Sequence, residues 1–185
     1  MNGMDSLTSW NGSLEKTTNG NNMFRSCTSL TTFTSDLKSL TSNSNMFSGC
    51  YNLTSFNANL SSLADGGGMF SGCYNMTSFN ATNLNSLTNG NSMFNYCYGL
   101  TSFSYNLSNL TNGEKMFYYC RGLNTFNVTN LNSLTNGSQF LTGCSNLTSF
   151  SYNLSNLTNG SSMFYDCYNI TAFNVTSLKS LSNGY

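Results

Sequence analysis

The sequence predicts an α/β solenoid of eight repeats, with a parallel β-sheet along one face and short helical or 3₁₀ turns along the other. The stretch LTSFSYNLSNLTNG at 100–113 recurs letter for letter at 147–160, which marks an internal repeat. An aromatic residue and a cysteine also recur every 23 or 24 residues, each cysteine six residues before the next aromatic. The two columns are Trp10, Phe33, Phe56, Phe79, Phe103, Phe126, Phe150 and Phe173, and Cys27, Cys50, Cys73, Cys97, Cys120, Cys144 and Cys167.

A single repeat of this length is too small to fold alone. It would bury about seven side chains at roughly 2 kcal/mol each, whereas ordering it costs roughly 1.5 kcal/mol per residue. Stacking of neighbouring repeats is therefore obligatory. We expect residues 1–185 to form one solenoid domain, with residues 1–6 as a lead-in and no clear capping repeats.

The strand of each repeat is predicted from the segment L-T-S-F-x-φ, where φ is apolar, as at 53–58. This segment has the L-x-x-L-x-L spacing of the strand in a leucine-rich repeat. Because side chains alternate along a strand, Phe56 and Ala58 should point to the core, and Ser55 and Asn57 to solvent. Stacked copies of the segment then form a parallel sheet.

The rest of each repeat closes the coil. Two leucines such as Leu60 and Leu63 should point inward, and the following T-N-G predicts a turn in which glycine supplies a positive φ. Met116, Phe117 and Cys120 have the i, i+1, i+4 spacing of a short inward-facing helix or 3₁₀ turn. If this segment were extended instead, the fold would be a three-faced parallel β-helix.

Repeat length alternates from the third strand onward. Long repeats carry one extra residue after the strand, and Val128 and Val175 mark two of them. Tyr105 and Tyr152 mark two of the short repeats. Duplication of a two-repeat block explains this pattern.

Charge and hydropathy exclude several classes of protein. Six basic and six acidic residues cancel, only 6% of residues are charged, and the basic ones are scattered, so we expect no nucleic-acid partner. No stretch approaches the roughly 20 apolar residues of a membrane span. The start, MNGMDSLTSWNGS, also lacks the regions of a signal peptide. We therefore expect a mature fragment, a cytoplasmic protein, or a protein exported by another route such as release with a virus particle.

The chemistry-bearing residues predict neither an enzyme nor a metal or cofactor site. The chain has no histidine, which removes the commonest general base and metal ligand. A glycosidase needs two acidic residues close together in a groove. Here the acids are isolated in sequence, as Asp36, Asp65 and Asp166 are, so only a structure that brought two of them together would support such an enzyme. The cysteines form one column, which favours buried reduced thiols over disulfides or a metal centre.

Two surfaces are candidates for ligand binding. The outward positions of the sheet form an uncharged lattice of hydroxyls and amides, which suits a glycan or protein and equally suits plain solvation. A second set of candidate residues lies directly after the cysteines. Tyrosine at these positions is typical either of an interface or of packing between repeats. The candidate residues are Ser55, Asn57, Ser78, Asn80, Ser102, Ser104, Thr125, Asn127, Ser149 and Ser151 on the sheet, and Tyr51, Tyr74, Tyr98, Arg121 and Tyr168 after the cysteines.

One motif carries a family resemblance. T-N-G-x-x-M-F-x-x-C-x-x-L-T-S-F at 88–103, with a close variant at 158–173, resembles the repeat of BspA-like leucine-rich repeat surface proteins. The sequence departs from that pattern by having Phe where Leu or Ile is usual in the strand. The resemblance implies an elongated, curved, non-catalytic module for adhesion and ligand binding.

Three functions of different classes follow from these patterns. The first is an extracellular or surface-exposed recognition module that binds a glycan or protein. The second is a structural component of a fibre, coat or tail, in which solenoid ends dock on other chains because they expose apolar surface and strand edges. The third and least supported is ice binding by the Thr/Ser lattice.

Overall fold

Eight short β-strands recur at the predicted spacing in the computed structural model, which describes residues 1–184. Each strand carries the aromatic residue of the L-x-x-F step, and we number the coils after their strands, each coil running from its strand to the next. The predicted solenoid with parallel strands is confirmed. The strands are β1 Ser9–Trp10, β2 Thr32–Phe33, β3 Ser55–Phe56, β4 Ser78–Phe79, β5 Ser102–Phe103, β6 Thr125–Phe126, β7 Ser149–Tyr152 and β8 Ala172–Val175.

The strands pair two by two, as β1–β2, β3–β4, β5–β6 and β7–β8, all parallel. Partners are equivalent residues of successive coils, so Phe103 lies opposite Phe126. A second parallel ladder runs without interruption through all eight coils, from Asn19 to Asn183. It passes through the Asn of each T-N-G motif, so this motif holds the coils in register.

The segment around each Met–Phe pair is a series of turns, and the predicted helix or 3₁₀ turn is wrong: residues 1–184 contain neither. Alternate backbone amides donate hydrogen bonds to the next coil, as Phe24 N does to Met46 O at 2.8 Å and Ser26 N to Ser48 O at 2.7 Å. Intervening amides bond locally, as Cys27 N does to Phe24 O at 3.2 Å. A helix would keep every amide within its own segment, so bonding to the next coil replaces it. The segment is not a strand either, so the condition for a β-helix is not met.

Left-handed backbone occurs twice in each of these turn segments. In coil 1 the residues are Asn22, with φ of 54°, and Ser26, with φ of 57°. Coil 3 has Gly68 and Gly72 at the same two places. These φ values reverse the backbone so that alternate amides face the neighbouring coil.

The T-N-G glycines do not have the predicted positive φ, and that prediction is wrong. They are required by close approach instead. A Cβ on Gly90 would lie 2.7 Å from Met116 Sδ of the next coil, and one on Gly113 would lie 2.8 Å from the Phe140 ring. The asparagine does form a turn, since Asn112 Oδ1 accepts from Glu114 N at 3.2 Å.

Two columns of phenylalanine rings fill the core. In the first, Phe24 stacks on Phe47 with centroids 5.4 Å apart and planes 3° apart. In the second, Phe33 stacks on Phe56 at 5.8 Å and 11°. The columns meet edge to face, with Phe33 and Phe47 at 4.7 Å and 75°. Each buried ring contributes about 1.5–3 kcal/mol, and such aromatic pairs add about 0.5–1.5 kcal/mol.

Residues 1–6 follow the path of a turn segment. Gly3 has φ of 70°, like Ser26 one coil later, and its amide donates to Arg25 O at 2.8 Å. Met1 O accepts from Cys27 Sγ at 3.1 Å, as Phe24 O accepts from Cys50 Sγ.

The cysteines form the predicted column of free thiols, and all but Cys167 are buried. Each thiol donates to a backbone carbonyl in the preceding turn segment, as Cys50 Sγ does to Phe24 O at 3.1 Å and Cys73 Sγ to Phe47 O at 3.3 Å. A thiol must be protonated to donate. Burial, reinforced by the neighbouring Cys27, raises the pKa of Cys50 from 9.0 to about 12.

This raised pKa predicts a loss of stability in alkali. Above pH 9 the unfolded chain ionises Cys50 while the folded chain keeps its proton, so stability present below pH 9 is lost as the pH rises toward about 12. Urea unfolding of wild type and Cys50→Ala should therefore show a difference in unfolding free energy that falls by about 1.4 kcal/mol per pH unit in this window. All other titrating groups are common to both proteins. A difference that stays constant with pH would contradict a protonated thiol at this site.

Candidate functional site

The ten predicted residues of the sheet face lie on one surface, and nine are exposed, with Ser78 half-buried. Their side chains are almost free of internal hydrogen bonds. Within residues 1–184, only Thr125 bonds to another protein group, donating to Asn124 Oδ1 at 2.9 Å. The other hydroxyls and amides of this face are available to a ligand.

Other polar columns of the solenoid are bound to the protein itself. Thr111 Oγ1 donates to Thr88 O at 3.0 Å in the preceding coil. Asn112 Nδ2 donates to Asn89 Oδ1 at 3.0 Å, and Asn89 Nδ2 to Asp65 Oδ1 at 2.9 Å. These columns tie coils together, which distinguishes them from the free side chains of the sheet face.

Two tyrosines interrupt the sheet, and the sequence analysis did not assign them to a site. Tyr152 is the last residue of β7, and its side chain reaches toward β6, where its hydroxyl donates to Phe126 O at 3.0 Å and accepts from Val128 N at 3.1 Å. Tyr105 follows β5 by two residues, and its side chain reaches toward β4, where its hydroxyl donates to Phe79 O at 2.7 Å. At two of the three unpaired junctions, a side chain thus takes the place of a neighbouring strand. The recurrence of tyrosine at an inward strand position 47 residues apart was the available signal.

A polar groove runs across coils 5 to 7 beside these tyrosines. Its larger part, of about 730 Å³, lies between β6 and β7. A smaller part of about 270 Å³ lies beside Ser104 and Tyr105. Both parts share Asn127, Val128 and Thr129. Five of the predicted face residues line the groove: Ser104, Thr125, Asn127, Ser149 and Ser151.

The tyrosines after the cysteines form a stack in coils 2 to 4. The rings of Tyr51 and Tyr74 are 4.9 Å apart and parallel, and Tyr74 and Tyr98 are 5.2 Å apart. Arg121 Cζ continues the stack at 5.3 Å from the Tyr98 ring, and lies 5.2 Å from Tyr119. Ring faces are therefore covered by neighbours, and the band presents ring edges and hydroxyls to solvent.

Tyr168 is separate from this stack. Ser145 takes the equivalent place in the intervening coil, and Tyr168 is 77% exposed. Asp166 accepts from the hydroxyls of both Tyr168 and Tyr119. The structure therefore brings together four of the five predicted residues of the band.

Acidic residues do not form a catalytic pair within a groove in the described chain. Glu15 and Asp36 are neighbours through Lys38, whose Nζ lies 3.3 and 3.9 Å from their carboxylates. All three side chains are at least 36% exposed, so this is a solvated ion-pair cluster. Across residues 1–184 no group of three His, Cys, Asp or Glu residues is placed to hold a metal ion.

Coil 8 presents an apolar hollow. It is lined by Leu154, Leu157, Met163, Phe173 and Leu181. These columns are covered by the next coil elsewhere in the solenoid, whereas Phe173 is 56% exposed. The hollow is therefore the unstacked face of the core. In the described part of the chain, no helix is long and apolar enough to cross a membrane.

The fold and the free polar face define a leucine-rich repeat solenoid with an uncharged surface. A family model described as "BspA type leucine rich repeat region (6 copies)" matches residues 2–77 and 66–184. The protein therefore belongs to the BspA-type leucine-rich repeat family, and the predicted resemblance is confirmed. Such domains generally mediate protein interactions and are typically non-enzymatic, and proteins of this type are usually surface-associated.

Among solved structures, the chain is similar to a leucine-rich repeat protein from Bacteroides ovatus. The two are 20% identical, with a TM-score of 0.44 over 86% of this chain. The chain spans about half of that protein's length, 52%. A comparison with curated proteins gives no match.

The double hydrogen bond of Tyr152 predicts a specific cost of removing its hydroxyl. Tyr152→Phe leaves Phe126 O and Val128 N without their partner, and each loss costs about 1 kcal/mol where water partly replaces the hydroxyl. The protection of the Val128 amide against hydrogen exchange should fall accordingly. Tyr51→Phe is the control, because the Tyr51 side chain is 43% exposed and its substitution should change stability by less than about 0.5 kcal/mol. Equal Val128 protection in wild type and Tyr152→Phe would contradict the assigned role.

Proposed function

We propose that this protein is a non-catalytic recognition module that binds a glycan or a protein through its sheet face. The observation that supports the proposal is a difference in side-chain hydrogen bonding between the T-N-G columns and the sheet face. The side chains of Thr111 and Asn112 are hydrogen-bonded to neighbouring coils. Those of Asn57, Asn80 and Asn127 are exposed and make no hydrogen bond to the described part of the protein. The free side chains of the face are therefore the polar groups that a partner can reach without breaking contacts between coils.

The lack of charge indicates the kind of partner. Binding a neutral polar partner requires hydroxyls and amides to exchange water for ligand, without the larger cost of desolvating an ion. No Asp, Glu, Lys or Arg stands among the ten face residues. A neutral carbohydrate, or an uncharged protein surface, is therefore the favoured partner over nucleic acid or an acidic polymer.

The tyrosine band supports a second, smaller contact. Its exposed edges and hydroxyls suit a rim that borders an interface. Arg121 closes the stack and is exposed, so it supplies the one cation of this border. We propose Tyr51, Tyr74, Tyr98 and Arg121 as this rim, with Tyr168 as an isolated contact.

We also propose that this protein is located at a surface. Proteins of this family are usually surface-associated, and a neutral, rod-like module suits display on a cell or a virus particle. The absence of an evident acid–base pair among the described residues fits a role in binding rather than turnover.

Substitutions on the face test the proposal. Asn80→Lys and Asn127→Lys together should weaken binding to arrayed glycans or surface proteins by about tenfold or more, because a cation buried at the interface would be unpaired. Asn85→Lys is the matched control, since Asn85 is exposed between Leu84 and Leu87 and away from the face. Saturable binding that the double variant leaves intact would contradict a site on the sheet face.

An assembly role is the second candidate, and the apolar hollow of coil 8 favours it. Phe173 and Leu178 are 56% and 45% exposed there. A second copy of the protein could dock on this surface and cover these apolar side chains. Sedimentation velocity should then show concentration-dependent association that Phe173→Ser reduces. A monomer at every concentration would exclude this candidate.

A further inference from the structure

We propose that the groove across coils 5 to 7 binds a neutral oligosaccharide lying along the solenoid axis, between Ser104 and Asn153. This inference rests on the proposed recognition function and assigns its ligand class and place. The two tyrosines that interrupt the sheet, and the free amides beside them, together make the site.

The groove has the size and continuity of a binding site. Its larger part, of about 730 Å³, falls within the roughly 300–1,000 Å³ of small-molecule pockets. Asn127, Val128 and Thr129 line both parts, so a ligand can pass from one coil to the next without leaving the groove. A chain-like ligand fits this shape better than a single small molecule.

The tyrosine side chains give the groove a fixed wall. Tyr152 is held at its hydroxyl by Phe126 O and Val128 N, and its ring packs edge to face on Phe150 at 4.8 Å. Tyr105 is held in the same way by Phe79 O, with its ring 4.9 Å from Phe103. Such preorganised aromatic walls lose little entropy on binding.

Backbone hydrogen bonding argues against a peptide as the ligand. An extended peptide would bind by adding a strand to an open sheet edge. Beside the groove, Phe126 O of β6 and Val128 N, two residues further on, are both already bonded to the Tyr152 hydroxyl. On its other side β6 is paired with β5. No backbone edge is left for a peptide strand at β6.

Side-chain chemistry favours a sugar. The residues lining the groove include no Asp, Glu, Lys or Arg, and they supply amides and hydroxyls such as those of Asn127, Ser149 and Ser151. Phe126, Val128 and Tyr152 add apolar area. Hydroxyls and C–H faces of a pyranose match this mixture. A sulfate or carboxylate would lose its hydration without gaining a cation.

The test uses the full chain and an array of neutral oligosaccharides of graded length, with sulfated and sialylated oligosaccharides on the same array. The best neutral binder is then titrated by calorimetry against wild type and Asn127→Ala/Ser149→Ala. We expect binding to weaken by about tenfold or more in the double variant, and the sulfated form of the same oligosaccharide to bind at least about tenfold more weakly. Asn85→Ala, outside the groove, is the control, and thermal melts confirm that each variant is folded.

Other outcomes separate this inference from the proposed function. Neutral binding that is lost in Ser55→Ala/Asn80→Ala and kept in the groove variant would overturn the groove site and leave recognition by the sheet face intact. Binding only to a protein, or a preference for sulfated chains, would overturn the ligand class. No saturable binding of any arrayed glycan or surface protein would overturn both.

Discussion

Stacking of two phenylalanine columns is the interaction on which the rest of this protein depends. Equivalent rings of successive coils lie parallel, as Phe47 and Phe70 do at 5.6 Å, and the columns interlock edge to face. Because each ring contacts equivalents above and below, the register of every coil is fixed by its neighbours. Even coil 6, where Leu141 stands in the phenylalanine column, keeps the contact by turning Phe140 edge-on to Phe117.

The demands of stacking override local backbone preferences. The turn segment of coil 4 places Tyr96, a bulky residue, at a φ of 59°, where left-handed backbone costs roughly 1–2 kcal/mol. Its amide donates to Tyr118 O of the next coil at 2.8 Å. A chain that formed a helix here would leave the neighbouring coil without donors, so the intercoil hydrogen bonds outweigh the local cost.

The polar residues divide into those that hold the rod together and those that remain free. Asparagines of the T-N-G motif and threonines beside them bond between coils, which satisfies their polar groups and fixes the spacing. Serines and asparagines of the sheet face do not. Tyr105 and Tyr152 form a third group, since each satisfies backbone groups and also shapes the surface next to them. Small departures from perfect repetition therefore shape the surface of this solenoid.

Local repetition allowed the strands, the buried aromatic and cysteine columns and the outward face to be predicted, because side-chain alternation and a fixed period need no knowledge of distant contacts. The path of the Met–Phe segment could not be predicted in this way: the spacing of Met116, Phe117 and Cys120 fits a helix and a stacked turn equally well, and the choice depends on amide partners in another coil. The same holds for the T-N-G glycines, which core side chains such as Met116 and Phe140 approach closely, and for Tyr152. The sequence by itself determined which residues are inside and which are outside. Only the tertiary structure decided which backbone and side-chain polar groups pair between coils, because those pairs exist only once neighbouring coils are stacked.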